Sequence, residues 1–360
     1  MANKKIILIF IITSLFFSFQ IAEACTRVVF LGKSGEVITG RSMDWAEDIK
    51  SNMWILPKGV HRTGLGGNKT IEWTSKYGSV ITSAYDIATS DGMNEKGLVA
   101  NLLYLAESDY GAKDDRPVMS ISLWGQYVLD NFSTVAEAVD ALKGDKIRIV
   151  APNLPNGRAS TIHLSLSDST GDSAIFEYVS GKLQIHHGRQ FQVMTNSPTF
   201  EKQLALNEYW KNIGGLVFLP GTNRASDRFA RASFLIEAIP KEVKQEYISA
   251  VPNQNFTNQA LFSTLGVVRS VGVPLGITTP GQPNISSTIW RTVADHNNLR
   301  YYFDSATSPN IFWVDLKAID FSKRNGFRKL DLLGGKIYSG NANLNFIESA
   351  PFPFYPASGL

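Results

Sequence analysis

Cys25 is the only thiol in the chain, and it directly follows Ala22-Glu23-Ala24, the small-x-small pattern that signal peptidase accepts. Upstream, Lys4 and Lys5 precede the apolar run Ile6 to Phe19. That run is about 14 residues, short of the roughly 20 a spanning helix needs. Residues 1–24 therefore read as a secretory signal, and 25–360 as one mature domain that is periplasmic or secreted. Removal of the signal makes Cys25 the first residue. A free α-amine titrates near ~7.7–8.0 and a thiol near ~8.5, so one residue then carries both a nucleophile and a base matched to it. Two other readings compete: a small buried hydrophobe, or the modified cysteine of a lipid-anchored binding protein. Glu23 and Ala22 stand where lipoprotein signals usually carry a small residue and leucine, which weighs against the anchor.

Four polar stretches are candidates to serve that thiol. Arg41-Ser42-Met43-Asp44-Trp45 ends a strand that pairs with the one opened by Cys25, so Arg41 and Asp44 are in reach of its ammonium and sulfur. A surface ion pair explains them equally well on spacing alone. Asn94-Glu95-Lys96-Gly97-Leu98 reads as a turn feeding a strand. In Thr195-Asn196-Ser197-Pro198 the Asn196 amide could donate to an oxyanion or cap its own turn. In Ser226-Asp227-Arg228-Phe229, Ser226 or Asp227 could cap a helix, and pattern alone leaves Arg228 facing solvent.

Composition removes several other classes of function. The chain of 360 residues is 44% apolar with a net charge of +3, and no run of like charge could track a phosphate backbone, so nucleic acid is not expected as a partner. One cysteine excludes a disulfide framework, and His61, His163, His186, His187 and His296 show no ligand spacing. No metal and no cofactor are expected. A cysteine-histidine peptidase is weakened because no papain-type surroundings accompany Cys25.

The elements that must position these residues follow from periodicity. Thr26–Leu31 and Glu36–Arg41 read as a hairpin with Cys25 at its free end. Strands are expected at 80–85, 98–104, 161–167, 173–179, 182–187, 191–195, 287–293, 300–304 and 311–315. Helices are expected from Pro117 to Asp130, at 134–142 behind a Thr134/Glu137 capping box, and around 200–210, 228–239 and 259–271. Blocks of strands and blocks of helices indicate an α+β fold of antiparallel sheet with segregated helices.

Taken in order, Cys25 behind a signal and the four stretches resemble the choloylglycine hydrolase family of N-terminal nucleophile hydrolases, which holds penicillin V acylases and conjugated bile salt hydrolases. The resemblance extends from Cys25 to the Trp290–Asp315 region. It implies a four-layer αββα sandwich of two antiparallel sheets and hydrolysis of a linear amide in a small molecule. It gives Cys25 the role of nucleophile and its α-amine that of base. Arg41 and Asp44 match residues that hold the N-terminus and tune the thiol, and Arg228 a third charge near the sulfur. Asn196 matches the side-chain oxyanion donor. Tyr104 falls at the position of the second, backbone donor, where penicillin V acylases often carry Tyr and bile salt hydrolases usually Asn. Trp45 and Tyr85 are candidates to line an acyl pocket. Penicillin V, bile salts and acyl-homoserine lactones all remain candidate substrates. No stable membrane insertion is expected after signal removal, and a homo-oligomer is left open.

Overall fold

The computed structural model describes residues 25–154, 157–277 and 286–357. The signal expected over residues 1–24 lies outside them. The opening hairpin forms as Thr26–Leu31 and Val37–Trp45, with Thr26 opposite Ser42 and Arg27 opposite Arg41. Its second strand continues past the expected boundary at Arg41, and the Arg41–Trp45 stretch forms its end. Around the hairpin grows a seven-stranded sheet, in the order Val193–Met194, Thr26–Leu31, Val37–Trp45, Ser287–Asp295, Arg300–Ser305, Ile311–Asp315 and Gly340–Asn341. It is antiparallel except at the last, short pair. A nine-stranded antiparallel sheet lies against it, with Val99–Tyr104 paired to Ile162–Ser167 and to Ala88–Asn94 near its centre.

The two sheets face each other through polar bonds. Arg27 on the first sheet donates to Leu166 O and Ser173 Oγ on the second, and Tyr301 hydrogen-bonds Thr82 at 3.0 Å. Helices cover the outer faces. Ala225–Ala238 and Phe256–Ser270 pack on the seven-stranded sheet, and Trp124–Asn131 on the nine-stranded one. A glycine permits close approach on each side: a Cβ on Gly40 would lie 2.6 Å from Val268, and one on Gly125 2.5 Å from Leu102. The result is the expected α+β, four-layer arrangement. One apolar core fills the space between the sheets and under the Ala225–Ala238 and Phe256–Ser270 helices, and a second lies beneath Trp124–Asn131 and Val135–Leu142.

Three local expectations are corrected. The helix expected from Pro117 begins only at Trp124, because Val118–Ser120 is drawn into a parallel strand pair with Arg148–Val150. The expected caps Ser226 and Asp227 lie inside a helix that starts at Ala225, with Arg224 at its N-cap and no side-chain cap bond there. At Val135–Leu142, Thr134 Oγ1 accepts from Glu137 N–H, but the Glu137 carboxylate reaches Ser133 instead of Thr134, so half of the expected capping box forms. The meander at Ile162–Ser167, Ser173–Val179 and Lys182–His187 agrees with its sequence pattern almost residue for residue.

Candidate active site

Cys25 sits at the start of the first strand, 2% exposed, with its sulfur accepting from Asp44 N–H at 3.4 Å. The surroundings follow from strand alternation in Val37–Trp45. Arg41, Met43 and Trp45 turn to one face, and Ser42 and Asp44 to the other. Arg41, Met43, Trp45 and Cys25 all line one cavity between the sheets. Asp44 lies on the opposite face with its neighbour Ser42, whose hydroxyl donates to Asp44 Oδ2 at 3.3 Å. The thiol is therefore flanked from two sides. Both Arg41 and Asp44 are essentially unexposed, so the surface ion pair is excluded.

Arg41 is fixed from several directions. Its guanidinium donates to Leu102 O (2.9 Å) and Ser90 Oγ (3.3 Å), lies 3.9 Å from Asp91 and stacks 4.6 Å over Trp290. Asp91, a buried carboxylate that sequence reading missed, is held in turn by Asn101 and Tyr301.

Arg228 is fully buried, contrary to a solvent-facing helix arginine. It donates to Cys25 O (2.6 Å), Thr26 Oγ1 (2.5 Å), Asn223 O (3.0 Å) and Asn196 Oδ1 (2.9 Å). That last bond settles the Asn196 amide, since a guanidinium only donates and must face the amide oxygen. Asn196 Nδ2 then points to Tyr104 O at 2.8 Å, which leaves its second N–H for another acceptor. Asn196 is thus not a cap of its own turn. Tyr104 contributes backbone as well as ring. Leu105 N–H donates to Thr161 O, so in the alternating ladder Tyr104 turns its N–H and C=O away from that strand, to the side where Asn196 lies.

Burial dominates the electrostatics. It pushes the Cys25 thiol up, with Arg41 and Arg228 pulling down and Asp44 adding to the rise. Burial also lifts the Asp44 carboxyl to about 6 against the pull of Arg228, the Thr288 hydroxyl, Arg291 and Arg41, and lowers Arg228 to about 10. Asp44 Oδ1 has no hydrogen-bond partner among the described residues although it is out of solvent. A cation beside Cys25 would fill that gap.

The cavity holds about 770 Å³ of empty space, part of it open to solvent, and is lined by Cys25, Leu102, Tyr104, Ile162, Trp45 and Tyr85 among others. The two expected aromatic residues are both in its wall. Trp45 Nε1 donates to Tyr85 OH (2.8 Å), which donates to Glu47 (2.6 Å), and the Trp45 and Tyr104 rings meet edge to face at 6.4 Å. Among the described residues no group of histidines, cysteines and carboxylates could hold a metal ion. His163 and His296 are spent in buried bonds to Glu177 and Thr195, and to Thr39 and Gly97. Asn94, from the second sequence stretch, is a turn holder: its Oδ1 accepts from Lys96 and Leu98 N–H and its amide ties to Leu129 and Phe132.

Comparison with known proteins gives the family. The description "linear amide C–N hydrolases, choloylglycine hydrolase family" matches residues 25–330, starting at the cysteine. A penicillin V acylase of Pectobacterium atrosepticum is 49% identical over 348 residues, covering 93% of each chain. A bile salt hydrolase/transferase of Clostridium perfringens is 34% identical over 252 residues, or 61% of this chain and 74% of its own. Among solved structures, a penicillin V acylase from Agrobacterium tumefaciens superposes with a TM-score of 0.83 at 53% identity, covering 92% of this chain and all of the other. The chain belongs to the choloylglycine hydrolase family of linear amide C–N hydrolases.

Proposed function

We propose that the protein is an exported cysteine amidohydrolase of the penicillin V acylase kind, activated when residues 1–24 are removed and Cys25 gains a free α-amine. The observation that carries the reading is the placement of Cys25 and Tyr104 in the wall of one apolar cavity, with Arg228 bonded to both Cys25 O and the Asn196 amide, and that amide bonded in turn to the Tyr104 carbonyl. The sulfur attacks the amide carbonyl while the α-amine takes the thiol proton. Asp44, with its open Oδ1, holds the resulting ammonium, and Arg41 and Arg228 support the thiolate against burial. The free N–H of Asn196 and the Tyr104 N–H donate to the tetrahedral oxyanion. The ammonium protonates the leaving amine, and water then hydrolyses the thioester.

The acyl cavity is mostly apolar, with aromatic walls at Trp45, Tyr85 and Tyr104. A flat or flexible acyl group fits such a wall better than a rigid, hydroxylated steroid. The 49% identity to a penicillin V acylase, against 34% to a bile salt hydrolase/transferase, supports the same preference. The test is kcat/KM for penicillin V, glycine-conjugated bile salts and acyl-homoserine lactones, measured on the processed chain at one pH. Penicillin V is expected to exceed the bile salts. Bile salts giving the highest value would overturn the preference.

A further inference from the structure

The Asn196 side chain is oriented by Arg228, but its backbone must be held as well, and the segment that carries it is a short turn between Val193–Met194 and the helix Phe200–Ile213. Two buried polar residues of the nine-stranded sheet reach into that turn. His163 and Glu177 stand on adjacent strands, brought side by side by the register that sets Leu164 opposite Phe176. They are 1% and 0% exposed and meet at 2.8 Å, His163 Nδ1 to Glu177 Oε1. His163 Nε2 lies 2.8 Å from Thr195 O, the carbonyl directly before Asn196. Both Glu177 oxygens accept from Phe200 N–H, at 3.1 and 3.0 Å.

Proton bookkeeping makes this arrangement directional. A carbonyl only accepts, so Nε2 must carry a hydrogen, and the Nδ1–Oε1 contact then holds one further proton between ring and carboxylate. The pair is neutral as a whole and has a donor aimed at residue 195 and acceptors aimed at residue 200. We propose that His163 and Glu177 form a clamp across the turn, gripping it on both sides of Asn196 and so aiming the Asn196 amide at the oxyanion. They are positioning residues, and their effect passes through Asn196. Gln203 adds a lesser brace, donating to Asn196 O at 3.0 Å. The proposal rests on the reading of Asn196 as the oxyanion donor. Oxyanion donors lose their value steeply when displaced, because a misplacement near 1 Å can cost on the order of 100-fold in rate.

The experiment is a double-mutant cycle on the processed enzyme with penicillin V, reading kcat and KM separately alongside circular dichroism and thermal melting. His163→Ala and Glu177→Ala are expected to lower kcat about 10-fold to 100-fold with KM changed little. Glu177→Gln keeps an acceptor for Phe200 N–H and should recover most of what Glu177→Ala loses. In an Asn196→Ala background, His163→Ala should lower kcat no further. A full additional loss there would mean that His163 acts through general stability, and would overturn the clamp; so would an unchanged kcat in the single variants. Should His163→Ala fail to fold, the contrast between Glu177→Ala and Glu177→Gln in both backgrounds decides the matter. An Asn196→Ala enzyme of undiminished kcat would instead refute the oxyanion reading itself.

Discussion

Asp130 and Asp44 are both buried beside arginines, one on the inner side of the Trp124–Asn131 helix and one beside Cys25, yet their oxygens are used differently. At Asp130, Oδ2 accepts from Arg62 Nε and Trp73 Nε1, both at 2.8 Å, and Oδ1 from Gln126 at 2.7 Å. Fixed neighbours serve both oxygens, and the pair ties the Trp124–Asn131 helix to the small His61–Thr63 and Glu72–Thr74 hairpin. At Asp44 the Ser42 hydroxyl donates to Oδ2, and Oδ1 is buried with no hydrogen-bond partner among the described residues. A saturated buried carboxylate serves the fold, whereas one with an open oxygen is, on the mechanism proposed above, the group that receives the charge of the Cys25 α-ammonium.

That contrast can be broken by exchanging the expected consequences of the two sites. Asp44→Asn should cut kcat/KM by about 100-fold to 10,000-fold, the range typical of lost proton-handling groups, while its melting temperature stays near that of the wild type. Arg62→Ala should behave in the opposite way, losing about 3–5 kcal/mol of stability by leaving Asp130 buried and unpaired, with kcat/KM of the folded fraction preserved. Kinetics and urea denaturation on the same preparations check both. An Arg62→Ala enzyme that is stable but inactive would erase the distinction.

A smaller effect sharpens it. The folded Asp44 carboxyl lies at about 6, above the ~3.9 of an unfolded chain, so the native state binds that proton more tightly. Its contribution to stability is fully present below ~3.9 and is lost as pH rises through 6. In the full-length chain, where Cys25 nitrogen is an amide, wild type should lose at most roughly 3 kcal/mol relative to Asp44→Asn between pH 4 and 7.5. Processing should narrow this swing, because the new α-ammonium meets the open oxygen. An identical stability difference at both pH values would contradict the open-oxygen account.

Much of the fold is legible in the residues because local pattern and tertiary structure agree there. Leu164 and Leu166 alternate with His163, Ser165 and Ser167, and the strand forms where the pattern puts it. Pro117 opens an apolar-periodic stretch that reads as helix, but pairing with Arg148–Val150 pulls its first residues into a strand, a tertiary effect invisible to a local window. Cys25, Arg41, Asp44, Tyr104, Asn196 and Arg228 do converge, though only the hairpin placed the first three together from spacing. Arg228 owes its place to burial of its helix against the first strand, and no periodicity announces that. His163, Glu177 and Asp91 had one sequence signal: polar residues on the strand face that another sheet covers.

The central claim, that Cys25 is an N-terminal nucleophile, is tested most directly by mass spectrometry of processed enzyme quenched during turnover of penicillin V. A phenoxyacetyl group should appear as a thioester on the peptide that begins with a free-amine Cys25, and it should be absent from Cys25→Ala and from uncleaved chain. Turnover by the uncleaved chain, or an acyl group on any other residue, would contradict the account.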